Sequence, residues 1–273
     1  MKIGFIGTGN MGGALARAAA KGGHTLLLAN RTPAKAAALA KELGGTVCPN
    51  AEAAETAELL FLGVKPQGLP GLAGELAPVL QARKGNAPVV VSMATAVTLR
   101  ELDAMLGGGL PLIRIMPNTP AAVGAGTILY AAQNVTDAQL DAFRAVLAQA
   151  GLLLPLPEEK IDAASAISGC GPAFCFQFAD ALALGGVRAG LSYPDACRLA
   201  AQTMLGAAEM LLQSGEAPDV LKNARVQPGR NDHRGRSGAR AGRIFLYRAE
   251  RRHGRLPPNG RNDEEGVIRC SSS

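Results

Sequence analysis

Six residues near the N-terminus, Gly7-Thr8-Gly9-Asn10-Met11-Gly12, have the spacing of a turn that cradles the pyrophosphate of a dinucleotide. Gly7 permits the tight turn, Gly9 lets backbone N–H groups approach a phosphate, and Gly12 lets the following helix pack onto the preceding strand. Glycine-rich turns also occur without a ligand. Here residues 2–7 read as a strand and 10–21 as a helix, so the turn opens a βαβ unit and the helix N-terminus adds partial positive charge.

The next strand, residues 25–30, ends in Ala29-Asn30-Arg31-Thr32. An NAD-selective site places a carboxylate there for the ribose 2′-hydroxyl. Asn30, Arg31 and Thr32 instead suit a 2′-phosphate, so NADPH is expected over NADH, although a lone Arg after a strand can also serve only to solvate a loop. Ligands of such sheets lie beyond the carboxyl ends of the strands. The segments following the later strands are Val64-Lys65-Pro66-Gln67, Ser92-Met93-Ala94-Thr95-Ala96 and Met116-Pro117-Asn118-Thr119-Pro120, small, polar or Pro-fixed loops of the kind that line a nicotinamide pocket. Lys65 is the only cation among them.

The elements that must carry these loops alternate from the first residue to about 155. Strands are expected at 2–7, 25–30, 59–64, 88–93, 112–116, 128–131 and 152–156, with helices at 10–21, Pro33–Leu43 and 137–149. This predicts an α/β fold, a Rossmann-type doubly wound, mostly parallel sheet over residues 1–157. From residue 158 strand signals stop. Residues 158–223 read as an all-helical second domain, interrupted at Gly185–Gly186 and at 190–194, with Ala-rich faces suited to a subunit interface.

Composition narrows the classes further. With 48% hydrophobic residues in 273 the chain can build a sizeable core. The apolar runs at 59–64 and 89–91 are too short to span a bilayer and no signal-peptide pattern opens the chain, so a cytoplasmic location without membrane attachment is expected. Five cysteines without C-x-x-C spacing suggest neither disulfides nor a metal site. His24 is the sole imidazole before residue 224, which disfavours a His general base.

Residues 1–223 carry 16 Lys+Arg against 17 Asp+Glu, whereas 224–273 carry twelve Arg, no Lys and five acidic residues. The basic balance therefore belongs to the tail. Clustered Arg can mark phosphate contact, but with only Phe245 and Tyr247 for stacking no nucleic-acid partner is expected.

Taken together, Val64-Lys65-Pro66, Arg114-Ile115-Met116-Pro117-Asn118-Thr119-Pro120 and Ser168-Gly169-Cys170-Gly171-Pro172-Ala173 resemble the pyrroline-5-carboxylate reductase family, with the likeness running to about residue 222. The resemblance implies reduction of 1-pyrroline-5-carboxylate to L-proline with NADPH or NADH, and a helical C-terminal domain that interlocks two subunits, often in a larger ring. It implies that Gly7, Thr8, Gly9, Asn10 and Met11 hold the pyrophosphate, Asn30 and Arg31 the adenosine ribose or its phosphate, and Val64, Lys65 and Pro66 the central cofactor. Ala94, Met116, Pro117, Asn118 and Thr119 would border the nicotinamide. A protonated cyclic imine needs chiefly alignment and neutralisation of its carboxylate, so Asn118 and Lys65 are the candidate positioning groups, Lys65 equally as cofactor-loop structure. Cys170 stands where the family usually has Ser, and its thiol is a weaker donor than a hydroxyl.

The family continues past the Leu221-Lys222 pair into a Ser-Pro-Gly-Gly-Thr-Thr substrate loop and a last helix; here residues 223–233 read Asn-Ala-Arg-Val-Gln-Pro-Gly-Arg-Asn-Asp-His. Back-translated one nucleotide later from Gln227, the degenerate code permits that loop, and Asn231-Asp232 allows only Thr or Met followed by Thr or Ile. Residues 224–273 are therefore expected to be a frame-shifted, disordered tail, with turnover and dimerisation impaired. Two other classes compete: a β-hydroxyacid-dehydrogenase-like or other imine-reducing enzyme, and a non-catalytic dinucleotide-binding protein. The dehydrogenases use a helical-domain Lys as proton donor, and Lys160 and Lys222, the only lysines after residue 157, lack that setting.

Overall fold

The strands of the central sheet are apolar runs whose alternate side chains enter two different cores, as expected of parallel strands covered on both faces. Ile3 and Phe5 of β1 (Lys2–Ile6), Leu59 and Phe61 of β4 (Leu59–Leu62) and Val89 and Val91 of β5 (Val89–Ser92) face one core. Ile6, Leu60, Leu62 and Val90 face the other. Phe5 and Phe61 stack at 4.5 Å between centroids.

The structure is a computed structural model and describes residues 1–83 and 85–224. The expectations for the tail from 225 onward, its disorder included, lie outside the described residues. Eight strands pair in the order β3-β2-β1-β4-β5-β6-β7-β8, with β2 at Thr25–Ala29, β3 at Thr46–Val47, β6 at Leu112–Pro117, β7 at Gly126–Gln133 and β8 at Gly151–Pro155. All neighbours are parallel except β6 and β7. Helices α1 (Asn10–Ala20), α2 (Pro33–Leu43) and α6 (Asp137–Leu147) pack on one face. Helices α3 (Asn50–Thr56), α4 (Leu69–Ala82), α5 (Leu99–Met105) and α7 (Glu158–Ser168) pack on the other. This is the doubly wound Rossmann-type arrangement, followed by a helical C-terminal region, α8 (Gly171–Arg188), α9 (Tyr193–Ser214) and α10 (Pro218–Ala224).

Local chemistry sets the ends of these elements. Pro33 begins α2 and Gly44, at φ 69°, ends it in the left-handed conformation. Reciprocal capping boxes, Thr98 with Glu101 and Thr136 with Gln139, start α5 and α6. Helices α3, α4 and α5 and the two-residue β3 were not resolved by periodicity, because α3 and α5 have only seven residues each and α4 contains Pro70 and Pro78.

One expectation needs correction. Gly185–Gly186 does not interrupt the helix: α8 runs through both to Arg188, and the break comes only at Ala189–Gly190. A Cβ on Gly186 would lie 3.1 Å from Ala196 Cβ, so that glycine serves close packing. The first compact unit of the chain is Met1–Cys197, so α7 and α8 belong to the same unit as the sheet. Arg114 of β6 explains part of this. Buried to 3% exposure, it pairs with Glu158 (3.2 Å) and Asp162 (2.7 Å) of α7. The same Glu158 oxygen accepts the Leu99 N–H at 2.7 Å, tying α7 to the sheet and to α5.

Candidate functional site at the carboxyl rim of the sheet

The strand order reverses between β1 and β4, the switch point where doubly wound sheets open a crevice. Its walls are glycines. Gly7, at φ 99°, could not carry a side chain, since its Cβ would lie 2.4 Å from the Gly63 carbonyl oxygen; a Cβ on Gly63 would lie equally close to that of Gly7. A Cβ on Gly12 would fall 2.1 Å from the Gly7 oxygen. Around Gly9, by contrast, the Cβ position is open, with nothing within 4 Å. Gly9 caps α1 without any side-chain hydrogen bond, so the first-turn N–H groups of α1 have no side-chain cap. Thr8 Oγ1 is buried without a partner. A closed backbone floor, an open face at Gly9, an uncapped helix terminus and an orphaned hydroxyl fit a bound pyrophosphate.

The structure redistributes work among the expected binding residues. The Thr8 N–H donates to Asn30 Oδ1 (3.0 Å), and Asn30 Nδ2 donates to the Thr32 carbonyl (3.0 Å). Asn30 thus joins the glycine turn to the β2–α2 loop, and the Thr8 amide, expected at the phosphate, is engaged within the chain. Arg31 and Thr32 are exposed, as is Lys35 in the first turn of α2, and no carboxylate stands among them. The rim loops lie where strand ends were expected. Lys65 is exposed at the start of a 3-10 turn, Pro66–Gly68, with Val64 and Pro66 half-buried beside it. Ala94 is buried, its N–H 3.3 Å from Ser92 Oγ, and Ala96 two residues on adopts φ 60°, a conformation non-glycine residues rarely take. Met116 and Pro117 are half-buried at the end of β6, and the 3-10 turn Thr119–Val123 packs on α1.

Asn118 is 8% exposed and both ends of its amide are engaged. Oδ1 accepts from the Thr127 N–H and Nδ2 donates to the Ser168 carbonyl, each at 2.8 Å. Gly63 escaped sequence reasoning, as did the role of the Ser168 carbonyl, whose residue was read only as part of the 168–173 motif. Gly63 carried the signal of a glycine directly after a strand, whereas a backbone carbonyl 50 residues away carries none. Two cavities, of about 350 Å³ (Tyr130, Leu140, Arg144, Leu156) and about 270 Å³ (Met1, Glu58, Arg83, Gln139), include none of the expected site residues.

Among the described residues no cluster of His, Cys, Asp or Glu could hold a metal ion, and no disulfide forms: Cys48 is buried, which pushes its thiol pKa up, and Cys175 is exposed. Helix α8 leaves Phe174, Phe176, Phe178, Leu182 and Leu184 on the surface, with Ile167 of α7 80% exposed. Glu158–Arg188 is, by length and composition alone, long and apolar enough to cross a membrane, which the shorter runs in the sequence had not suggested.

Comparison with known proteins accounts for both halves. Residues 2–96 match the family described as NADP oxidoreductase coenzyme F420-dependent, and residues 158–235 match pyrroline-5-carboxylate reductase dimerisation. The pyrroline-5-carboxylate reductase of Mycobacterium leprae is 37% identical over 217 residues, covering 78% of this chain and 74% of that protein. The chain belongs to the pyrroline-5-carboxylate reductase family. A solved reductase of this family from Coxiella burnetii superposes with a TM-score of 0.80 at 28% identity, over 91% of this chain and 93% of the other. The Plasmodium falciparum reductase, solved with NADP bound, superposes at 0.78 with 27% identity, over 92% and 93%. The exposed apolar helices of this family member thus fall within the segment matched as a dimerisation region.

Proposed function

We propose that this chain reduces 1-pyrroline-5-carboxylate to L-proline, with NADPH as the preferred reductant and NADH as the alternative. The observation that carries the reading is the glycine-walled crevice at the β1/β4 switch point, joined in one chain to a segment matched as this family's dimerisation region. When bound, the nicotinamide supplies a hydride to the imine carbon while the nitrogen ends protonated, which balances the conversion of C=N to CH–NH.

The chain's own residues have three tasks. The glycine turn from Gly7 through Gly12 holds the pyrophosphate against the α1 terminus, with Asn10 and Met11 amides as donors and the Thr8 hydroxyl available beside them. Arg31, with Thr32 and Lys35, pairs with the 2′-phosphate, while Asn30 keeps the two loops in register. Val64, Lys65, Pro66, Ala94 and the Met116–Asn118 segment shape the nicotinamide end, where orientation supplies most of the acceleration. Lys65 is the cation within these loops that can offset the substrate carboxylate.

The helical residues 158–223 serve self-association as a dimer or larger ring, which covers the phenylalanines of α8. A cytoplasmic location without nucleic-acid or membrane partners accords with a small-molecule reductase. Because the substrate loop of the family is replaced from residue 224, turnover by the chain as written is expected to be weak, and restoring the reading frame is expected to raise it. The test is NADPH oxidation dependent on pyrroline-5-carboxylate, compared with 3-hydroxy acids, in the written and frame-restored chains. Absence of turnover in both, with tight NADPH binding retained, would mean a non-catalytic dinucleotide-binding protein.

A further inference from the structure

We infer that Asn118 is a positioning residue, one that stations the α7–α8 turn against the carboxyl rim of the sheet. The inference rests on the reductase reading, since it concerns the spacing between the nicotinamide loop and the helical segment facing it. Asn118 directly follows β6 and begins the 3-10 turn Thr119–Val123. Its Oδ1 accepts the Thr127 N–H of β7 and its Nδ2 donates to the carbonyl of Ser168, the last residue of α7, each at 2.8 Å. The bond to Ser168 crosses 50 residues of sequence and joins the Met116–Pro120 segment to the end of α7, directly before the α7–α8 turn. On the α7 side the turn has little slack: a Cβ on Gly169 would lie 2.8 Å from the Ser165 carbonyl, and Cys170 follows as the N-cap of α8.

The demand is for a planar fork with one acceptor and one donor at near-complete burial. A neutral amide meets it; a carboxylate has the shape and the acceptor but no proton to donate, and an alkyl group has neither. Asn118 therefore acts through backbone groups on either side of the site. Transfer to a small ring depends steeply on geometry, and a displacement of about 1 Å can slow a reaction about a hundredfold.

The test compares Asn118→Asp and Asn118→Ala in the full chain, with turnover read in its frame-restored form. The Asn118→Asp variant keeps the bond from Thr127 but sets a carboxylate oxygen against the Ser168 carbonyl, and burial of this kind raises the pKa of the new carboxyl; protonation restores the donor. Turnover of Asn118→Asp is expected to fall about tenfold or more near pH 8 and to recover toward wild type near pH 5.5, whereas Asn118→Ala stays low throughout. Hydrogen exchange over residues 169–175, corrected for intrinsic rates, should quicken in both near pH 8 and slow again only in Asn118→Asp near pH 5.5. NADPH affinity, measured in parallel, reports whether the glycine turn, which neither substitution touches, stays folded.

Wild-type exchange in Asn118→Ala, or an Asn118→Asp exchange ratio flat with pH, overturns the inference. Loss of NADPH binding in both variants overturns it as well, because Asn118 would then be holding the sheet domain together and not the turn. If the frame-restored chain fails to reduce pyrroline-5-carboxylate, the reductase reading fails while the exchange data still decide the role of Asn118.

Discussion

At the scale of single residues the cofactor site is a matter of atoms that are not there. Gly12 faces the Gly7 oxygen so closely that Gly12→Ala must displace either the turn or α1, a strain of about 1–3 kcal/mol. NADPH affinity, followed by nucleotide fluorescence, should fall at least about tenfold in that variant. Arg31 adds charge where other sites place a carboxylate. Arg31→Ala should weaken NADPH about tenfold and leave NADH within about twofold, since charge-assisted bonds to a phosphate contribute about 1.5–3 kcal/mol. Tyr193 shows the same dependence on close neighbours away from the site. The Cys197 side chain and then Asp180, whose Oδ1 accepts the phenol proton at 2.9 Å, push its pKa up to about 12. Its raised pKa contributes stability present below the ordinary tyrosine range near pH 10 and lost as pH climbs through about 12. Ultraviolet difference titration of wild type against Tyr193→Phe should accordingly place its ionisation near pH 12.

At the scale of elements, caps and one buried guanidinium keep the rim in place. The Glu101 carboxylate accepts from the Thr98 N–H and hydroxyl at 2.8 Å each, and those bonds hold its pKa below the usual carboxylate range. A lowered pKa stabilises the fold above the unfolded value and loses that contribution as pH falls through the folded one. Thr98→Ala should therefore cost about 1 kcal/mol near neutrality, and less in acid, in denaturant titrations. Arg114 poses an asymmetry. Its partner Asp162 is 69% exposed and rehydrates readily, whereas the guanidinium is 3% exposed. Removing both carboxylates, Glu158→Gln with Asp162→Asn, strands a buried charge and should cost about 3 kcal/mol, while the apolar Arg114→Met should be near neutral.

At the scale of the molecule the question is what covers α8. Phe174 is 60% and Phe176 69% exposed, more aromatic surface than an isolated soluble domain ordinarily presents. Phe176→Glu should shift the chain to monomer in light scattering, with NADPH binding intact because the glycine turn lies on the sheet. If dimerisation is already impaired by the altered tail, the frame-restored chain supplies the reference state.

The doubly wound sheet was legible because strands buried on both faces must be almost wholly apolar and the turn after β1 needs glycines at fixed spacing. That reasoning located residues 7–12 and the three rim loops, and the motifs at 64–66, 114–120 and 168–173 pointed to the family. Short or proline-bearing helices such as α3 and α4 carry too few periodic positions to be seen, and a helical glycine pair looks like a break until Ala196 is found packed beside it. Contacts between distant segments were beyond reach altogether. Asn30 reads as a ribose ligand and Asn118 as a substrate positioner when only their neighbours in sequence are known. Tertiary structure gives each amide its partners, on Thr8 and Thr32 in one case and Thr127 and Ser168 in the other. A sequence fixes which groups can form hydrogen bonds, but only the folded chain brings donor and acceptor within about three ångströms and so decides which of them do.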